Sequence, residues 1–154
     1  MRLFLFLLLL GSFSFDSLSA QNQNPNYDAE LAKKLNADDY GMKSFYFVIL
    51  KSGKNPPELS KAVKDSIMMG HLKNIGNLAE SGKLLVAGPF GKNELTYRGL
   101  FILNTSSLDD AKQIIASDPA IKSGIFDVEL LPWYGSAALG EYLPSSDKIW
   151  KIKP

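Results

Sequence analysis

Cysteine is absent from all 154 residues. No disulfide can staple this fold, no thiolate can act as nucleophile or metal ligand, and a lipidated N-terminal cysteine is excluded. Histidine occurs once, as His71. A zinc site would have to be built from carboxylates, and no acid pair stands at ligand-like spacing around that residue, so neither a metal nor any other cofactor is expected. Charge of one sign is not in excess: 17 Lys and Arg face 16 Asp and Glu, a formal charge of +1. The lysines lie among acids rather than in a stripe, which argues against a nucleic-acid partner. A GxSxG elbow is missing, and the serines fall at caps and turns. The glycine-rich GPFGKNE segment leads from strand to strand and lacks the helix start of a phosphate cradle.

Long apolar runs are also missing, except at the N-terminus. Arg2 is followed by the apolar stretch Leu3 to Leu10, and Leu18-Ser19-Ala20 offers a small-residue cleavage end before QNQN. Residues 1–20 therefore read as a secretory signal peptide. The run is too short to span a bilayer comfortably, so no stable membrane anchor is expected and the mature chain should be periplasmic or secreted. Cleavage removes Arg2 and Asp16 together and leaves the net charge where it was.

What is present begins with a polar leader, residues 21–41, in which Asp28 is placed to cap a short helix through Leu35. Residues 42–135 carry the texture of one domain. KSFYFVILK is rich in aromatic and β-branched residues and predicts a first strand, with Phe45, Phe47 and Ile49 on one face and Tyr46, Val48 and Leu50 on the other. Leu59, Val63, Ile67, Ile75 and Leu78 recur at helical spacing and predict a long helix over Glu58–Ser81, opened by Pro57 and closed by Gly82. KLLVAG and TYRGLFILN predict two further strands. Ser107 caps a second helix that buries Ala111, Ile114 and Ile115 and ends near Ser117. Ile125 to Leu131 alternates as a last strand, which Pro132 should stop.

The order βαββαβ is that of the α+β, ferredoxin-like arrangement, an antiparallel sheet with two helices on one face. Two helices cover one face only, yet the first and third strands are apolar on both. A second copy of the same sheet would cover the other face, giving a homodimer; the tail, residues 136–154, is the rival cover.

His71 shares the apolar stripe of the long helix with Ile67 and Ile75, one turn before and after it. A histidine so placed is as a rule a satisfied core residue. Gly70 beside it costs a helix about 1 kcal/mol relative to alanine, which marks a close approach of sheet, ligand or partner chain. Asp118, before Pro119, reads as the cap of a short turn. It is also the carboxylate that could meet His71, holding one ring nitrogen so that the other serves as base. Arg98 is a candidate for an anionic substrate, and Tyr46 and Phe90 are aromatic candidates for substrate contact, although core or interface roles fit all three.

GHLKNIGNLAESGKLLVAGPF followed by ASDPAIKSGIFDVELLPW resembles the YciI-like (YCII-related) family: a helix histidine, a glycine-led strand ending in AGP, and an Asp-Pro turn before the last strand, in that order. The resemblance spans Met42 to Tyr134. It implies a ferredoxin-like fold paired into a dimeric α/β barrel, with a site built around a His and an Asp, which His71 and Asp118 match. The function expected is general acid/base chemistry of isomerase or lyase type on an unknown small molecule. A non-catalytic, dimeric ligand-binding module and a purely structural His71–Asp118 core pair are the alternatives.

Overall fold

The computed structural model describes residues 24–54 and 56–152, so the expected signal peptide lies outside the described residues. Four strands form one sheet: β1 (Met42–Ser52), β2 (Leu84–Pro89), β3 (Tyr97–Leu103) and β4 (Phe126–Ser136). Their spatial order is β2-β3-β1-β4, and every neighbouring pair is antiparallel. Between them run α2 (Lys61–Glu80), α3 (Leu108–Ala116) and the short α4 (Pro119–Lys122), preceded by α1 (Ala29–Leu35) in the leader. This is the ferredoxin-like α+β fold that the element order predicts.

Both faces of β1 are buried, each against a different layer. Tyr46, Val48 and Leu50 join Leu84, Phe101, Leu103, Ala111 and Ile115 in the helix-side core, with Ile75, Leu78 and Ile114 packed onto it. Phe45 joins Leu85 and Ile102 on the opposite face, where the tail residues Leu139 and Leu143 pack. The tail therefore covers one end of the second face, after a 3-10 turn over Ala137–Glu141 and before the last turn of helix, α5 (Tyr142–Ser146). Farther along that face Leu131 and Trp133 remain 44% and 38% exposed, with Trp133 resting on Phe45 and Phe47.

Two boundaries differ from expectation for local reasons. The long helix starts at Lys61 rather than Glu58, because Ser60 has the hydroxyl that accepts from the Val63 amide, and neither Glu58 nor Leu59 can do so. Its 20 residues span about 30 Å, longer than the six-residue β2 on which it packs, and Val63 in its first turn is left exposed. At the other end Gly82 takes a positive φ of 68°, the left-handed conformation that lets the chain reverse into β2. The last strand does not stop at Pro132 but runs on to Ser136, pairing Pro132 with Tyr46. β4 has a neighbour on one side only, and an edge strand tolerates the missing amide that a central strand would not.

The leader is tied to the domain at two points. Within it, the Asp28 side chain caps α1 by accepting from Leu31, and Lys34 Nζ on that helix donates to Glu141 of the tail at 2.8 Å. Asp38 accepts hydrogen bonds from the Tyr134 hydroxyl and from the amides of Tyr40 and Met42, which hold its carboxyl below the ordinary value.

Candidate functional site

The site begins with two short-range rules acting on distant pieces of chain. On α2, His71 faces the sheet and is buried, its ring stacked 6.0 Å from Phe101 and edge-on 5.4 Å from Phe126. Some 47 residues later in the chain, the Asp-Pro pair starts α4: Pro119 occupies the first turn, and Asp118 is its N-cap. Asp118 Oδ1 accepts from the amides of Ala120 and Ile121 at 2.8 and 3.3 Å. That leaves Oδ2 free to turn towards α2, where it meets His71 Nδ1 at 2.7 Å and accepts from Asn74 Nδ2 at 3.3 Å. The cap reading and the partner reading of Asp118 both hold, one on each oxygen.

Gly70 explains how the two pieces come so close. A Cβ at that position would stand 3.2 Å from Pro119 Cγ, so the close approach that the glycine marks is that of α4. Any larger residue would push away the turn that carries Asp118. Burial alone would raise the Asp118 carboxyl. The hydrogen bond and charge of His71, with the two capping amides, outweigh burial and hold it below the ordinary 3.8. The result is a carboxylate fixed in place and 1% exposed.

No buried side-chain nitrogen or oxygen among the described residues lacks a partner. His71 Nε2 has no partner among the described residues, so that atom is not sealed off, and His71 lines a cavity of about 590 Å³. Apolar side chains make most of the wall, including Met68 and Leu72 from α2 and Phe101 and Phe126 from the sheet. Such a chamber, with a few converging polar groups, is the usual form of a small-molecule site.

Of the residues singled out in the sequence, the fold brings His71, Asp118 and Arg98 to this region and leaves two outside. Tyr46 is buried in the helix-side core, and Phe90 lies tilted against Tyr97, with neither lining the cavity. Arg98 reaches it through an irregularity. The β1–β3 register passes from Leu50–Gly99 directly to Lys51–Tyr97, so Arg98 is the unpaired residue, and Arg98 Nε donates to Ser52 Oγ at 2.6 Å. Sequence reasoning missed Asn74, although its spacing of three from His71 puts the two on one helix face. The tail, read from sequence as a cover for the sheet, also supplies Tyr142, Ser146 and Trp150 to the cavity wall, from residues that carry no motif. Among the described residues no three His, Asp or Glu side chains cluster as metal ligands, and no helix is long and apolar enough to cross a membrane.

A family model described as the YCII-related domain matches residues 45–134, more than half the chain. This protein belongs to the YCII-related domain family. The match runs from β1 to β4 and encloses His71 and Asp118, while α1 and the cavity-lining tail of this YCII-related protein lie beyond it. No curated protein matches the chain. Among solved structures it is similar, at 22% identity and a TM-score of 0.41, to a 5-chloro-2-hydroxyhydroquinone dehydrochlorinase from Burkholderia phenoliruptrix in complex with 2,5-dihydroxybenzoquinone. That similarity covers 57% of this chain and 92% of the other.

Proposed function

We propose that this protein is a small-molecule enzyme in which His71 moves protons as general base and acid, oriented by Asp118. The observation that carries the reading is the 2.7 Å Nδ1–Oδ2 contact set in a cavity wall with Nε2 unpartnered. With the carboxylate at Nδ1, the proton of the neutral ring resides there and Nε2 holds its lone pair towards the cavity. Nε2 takes a proton from a substrate carbon or hydroxyl, and the imidazolium that forms is stabilised by Asp118. Returning that proton to a different atom is an isomerisation; delivering it to a departing group is an elimination. No nucleophile beside the imidazole favours a covalent intermediate, which is why isomerase- or lyase-type chemistry is the class proposed.

A screen for deuterium uptake from D₂O into pooled small carbonyl and phenolic acids, followed by NMR, tests this reading. The wild type should accelerate exchange at one carbon of at least one compound, and His71→Ala should reduce the rate on the order of 100-fold. Full activity in folded His71→Ala refutes the mechanism.

Two further expectations belong to the same reading. Phe47, Ile49, Leu100, Leu131 and Trp133 lie on the part of the second face that the tail does not bury, and a second copy covers it in the proposed homodimer. Sedimentation should give twice the monomer mass, and Trp133→Glu should halve it. Export follows from residues 1–20, and N-terminal sequencing of protein from the producing cell should begin near Gln21.

A further inference from the structure

The tail is more than a cover for the sheet. It leaves β4, packs Leu139 and Leu143 on the second face, and then places Tyr142, Ser146 and Trp150 in the wall of the cavity that holds His71. The family match ends at Tyr134, so this wall belongs to the extension and not to the shared domain. Tyr142 and Trp150 are 46% and 41% exposed, leaving rings with area for a ligand to cover.

The polar groups of the cavity are unevenly distributed. Among the described residues Arg98 is the one lining residue with a formal charge, and none of the lining residues is an acid. Asp118 stands behind the imidazole and does not line the chamber. The Arg98 guanidinium forms no ion pair among the described residues and spends one N–H on Ser52, so its terminal nitrogens remain available. An apolar chamber with one available cation favours an organic anion and disfavours a cation.

We propose that residues 137–152 are the specificity segment of this site and that its ligand is a small organic anion with a flat apolar body. The body lies along Trp150 and Tyr142, and the anionic group, a carboxylate, sulfonate or phenolate, pairs with Arg98. The proposal rests on the reading of the cavity as the reaction site and names its substrate class.

Two dyes that differ by one anionic group test it on the full chain: anilinonaphthalene sulfonate and its uncharged counterpart N-phenylnaphthylamine, each titrated by fluorescence. Wild type should bind the sulfonate about tenfold more tightly, and Arg98→Gln should abolish that preference while leaving the neutral dye unchanged. Trp150→Ala should weaken both dyes about tenfold. The sulfonate should also shift the ring signals of the single histidine. Equal affinity of wild type for the two dyes, unchanged His71 signals, or unchanged affinities in Trp150→Ala each overturn the proposal. Should Trp150→Ala lower the melting temperature, Trp150→Leu replaces it under the same criterion. His71→Gln separates the two readings: it should leave both dye affinities within about threefold while abolishing turnover, so catalysis and recognition fail independently.

Discussion

Replacing Asp118 by asparagine changes one atom and should reverse the protonation pattern of His71 without unfolding the protein. The two capping amides both point at Oδ1, at 2.8 and 3.3 Å. An asparagine that keeps its carbonyl oxygen there turns its NH₂ towards His71 Nδ1 and Asn74 Nδ2. The opposite orientation sets NH₂ against two amide donors, and each buried orphan costs about 1–3 kcal/mol. The first orientation has a cheap remedy for its own conflict. Asn74 flips its amide, accepts from the substituted side chain's NH₂ through its own oxygen, and donates to Ser117 Oγ, which still donates to the Ile114 carbonyl at 2.6 Å. The first orientation is therefore preferred by about 2 kcal/mol, roughly thirtyfold. His71 Nδ1 then has to accept, and the ring proton moves to Nε2, where a base needs its lone pair. Stability should fall by about 1 kcal/mol, the loss of charge assistance, and turnover by a factor on the order of 100 to 10,000. Long-range proton–nitrogen correlation of labelled protein reads the tautomer directly, and with one histidine in the chain the ring signals need no assignment. If folded Asp118→Asn shows the wild-type tautomer of the neutral ring, Asp118 does not orient His71.

Three other outcomes follow from the same geometry. The Asp118 carboxyl lies below its ordinary 3.8, so its contribution to stability is complete above the unfolded value and is lost as pH falls through the folded one; the melting temperature of wild type should drop more steeply below about pH 4 than that of Asp118→Asn, and parallel acid limbs would contradict this. Gly70→Ala gains about 1 kcal/mol of helix propensity but presses a methyl to 3.2 Å from Pro119, so the melting temperature should change little while the Nδ1 proton resonance moves as α4 shifts; an unchanged resonance refutes the positioning role. At Gly53 a Cβ would run into the Gly124 carbonyl oxygen, an overlap with backbone that nothing flexible can relieve. Gly53→Ala should lower stability by about 2 kcal/mol or more in urea titration, and a wild-type midpoint would show that the two loops separate freely.

How much of this was legible depended on whether the deciding interaction was local. Ser107, Asp118 and Asp28 were readable as caps because a cap is settled within three residues. The two-sided character of β1 was visible in SFYFVIL, and the element order sufficed for the topology. Pro132 misled because its meaning depends on whether the strand is at an edge, which pairing decides and local sequence does not. Tyr46 and Phe90 were aromatic candidates that the fold placed in the core and against Tyr97. Arg98 enters the cavity through a register slip between two strands, and Trp150 by way of a tail whose path is set by Leu139 and Leu143 meeting Phe45 and Leu85. Neither event leaves a pattern in the residues concerned. The His71–Asp118 pairing stood between these cases: each half had a local signature and the family resemblance suggested the pair, while the contact itself depends on α4 packing against Gly70.

Pro132 carries one further consequence. β4 exposes its outer backbone to whatever unfolded chain is nearby, and a continuous row of amides and carbonyls there would recruit strands and seed fibrous aggregates. A proline in mid-strand interrupts that row, as β4 continues to Ser136 on the inner side alone. Replacing it by valine should keep the fold and shorten the lag before aggregation on agitation, because the gap in the template would be closed. The residue that fails to stop the strand thereby keeps the sheet from growing edge to edge, and reserves its broad face for the proposed pairing of two copies.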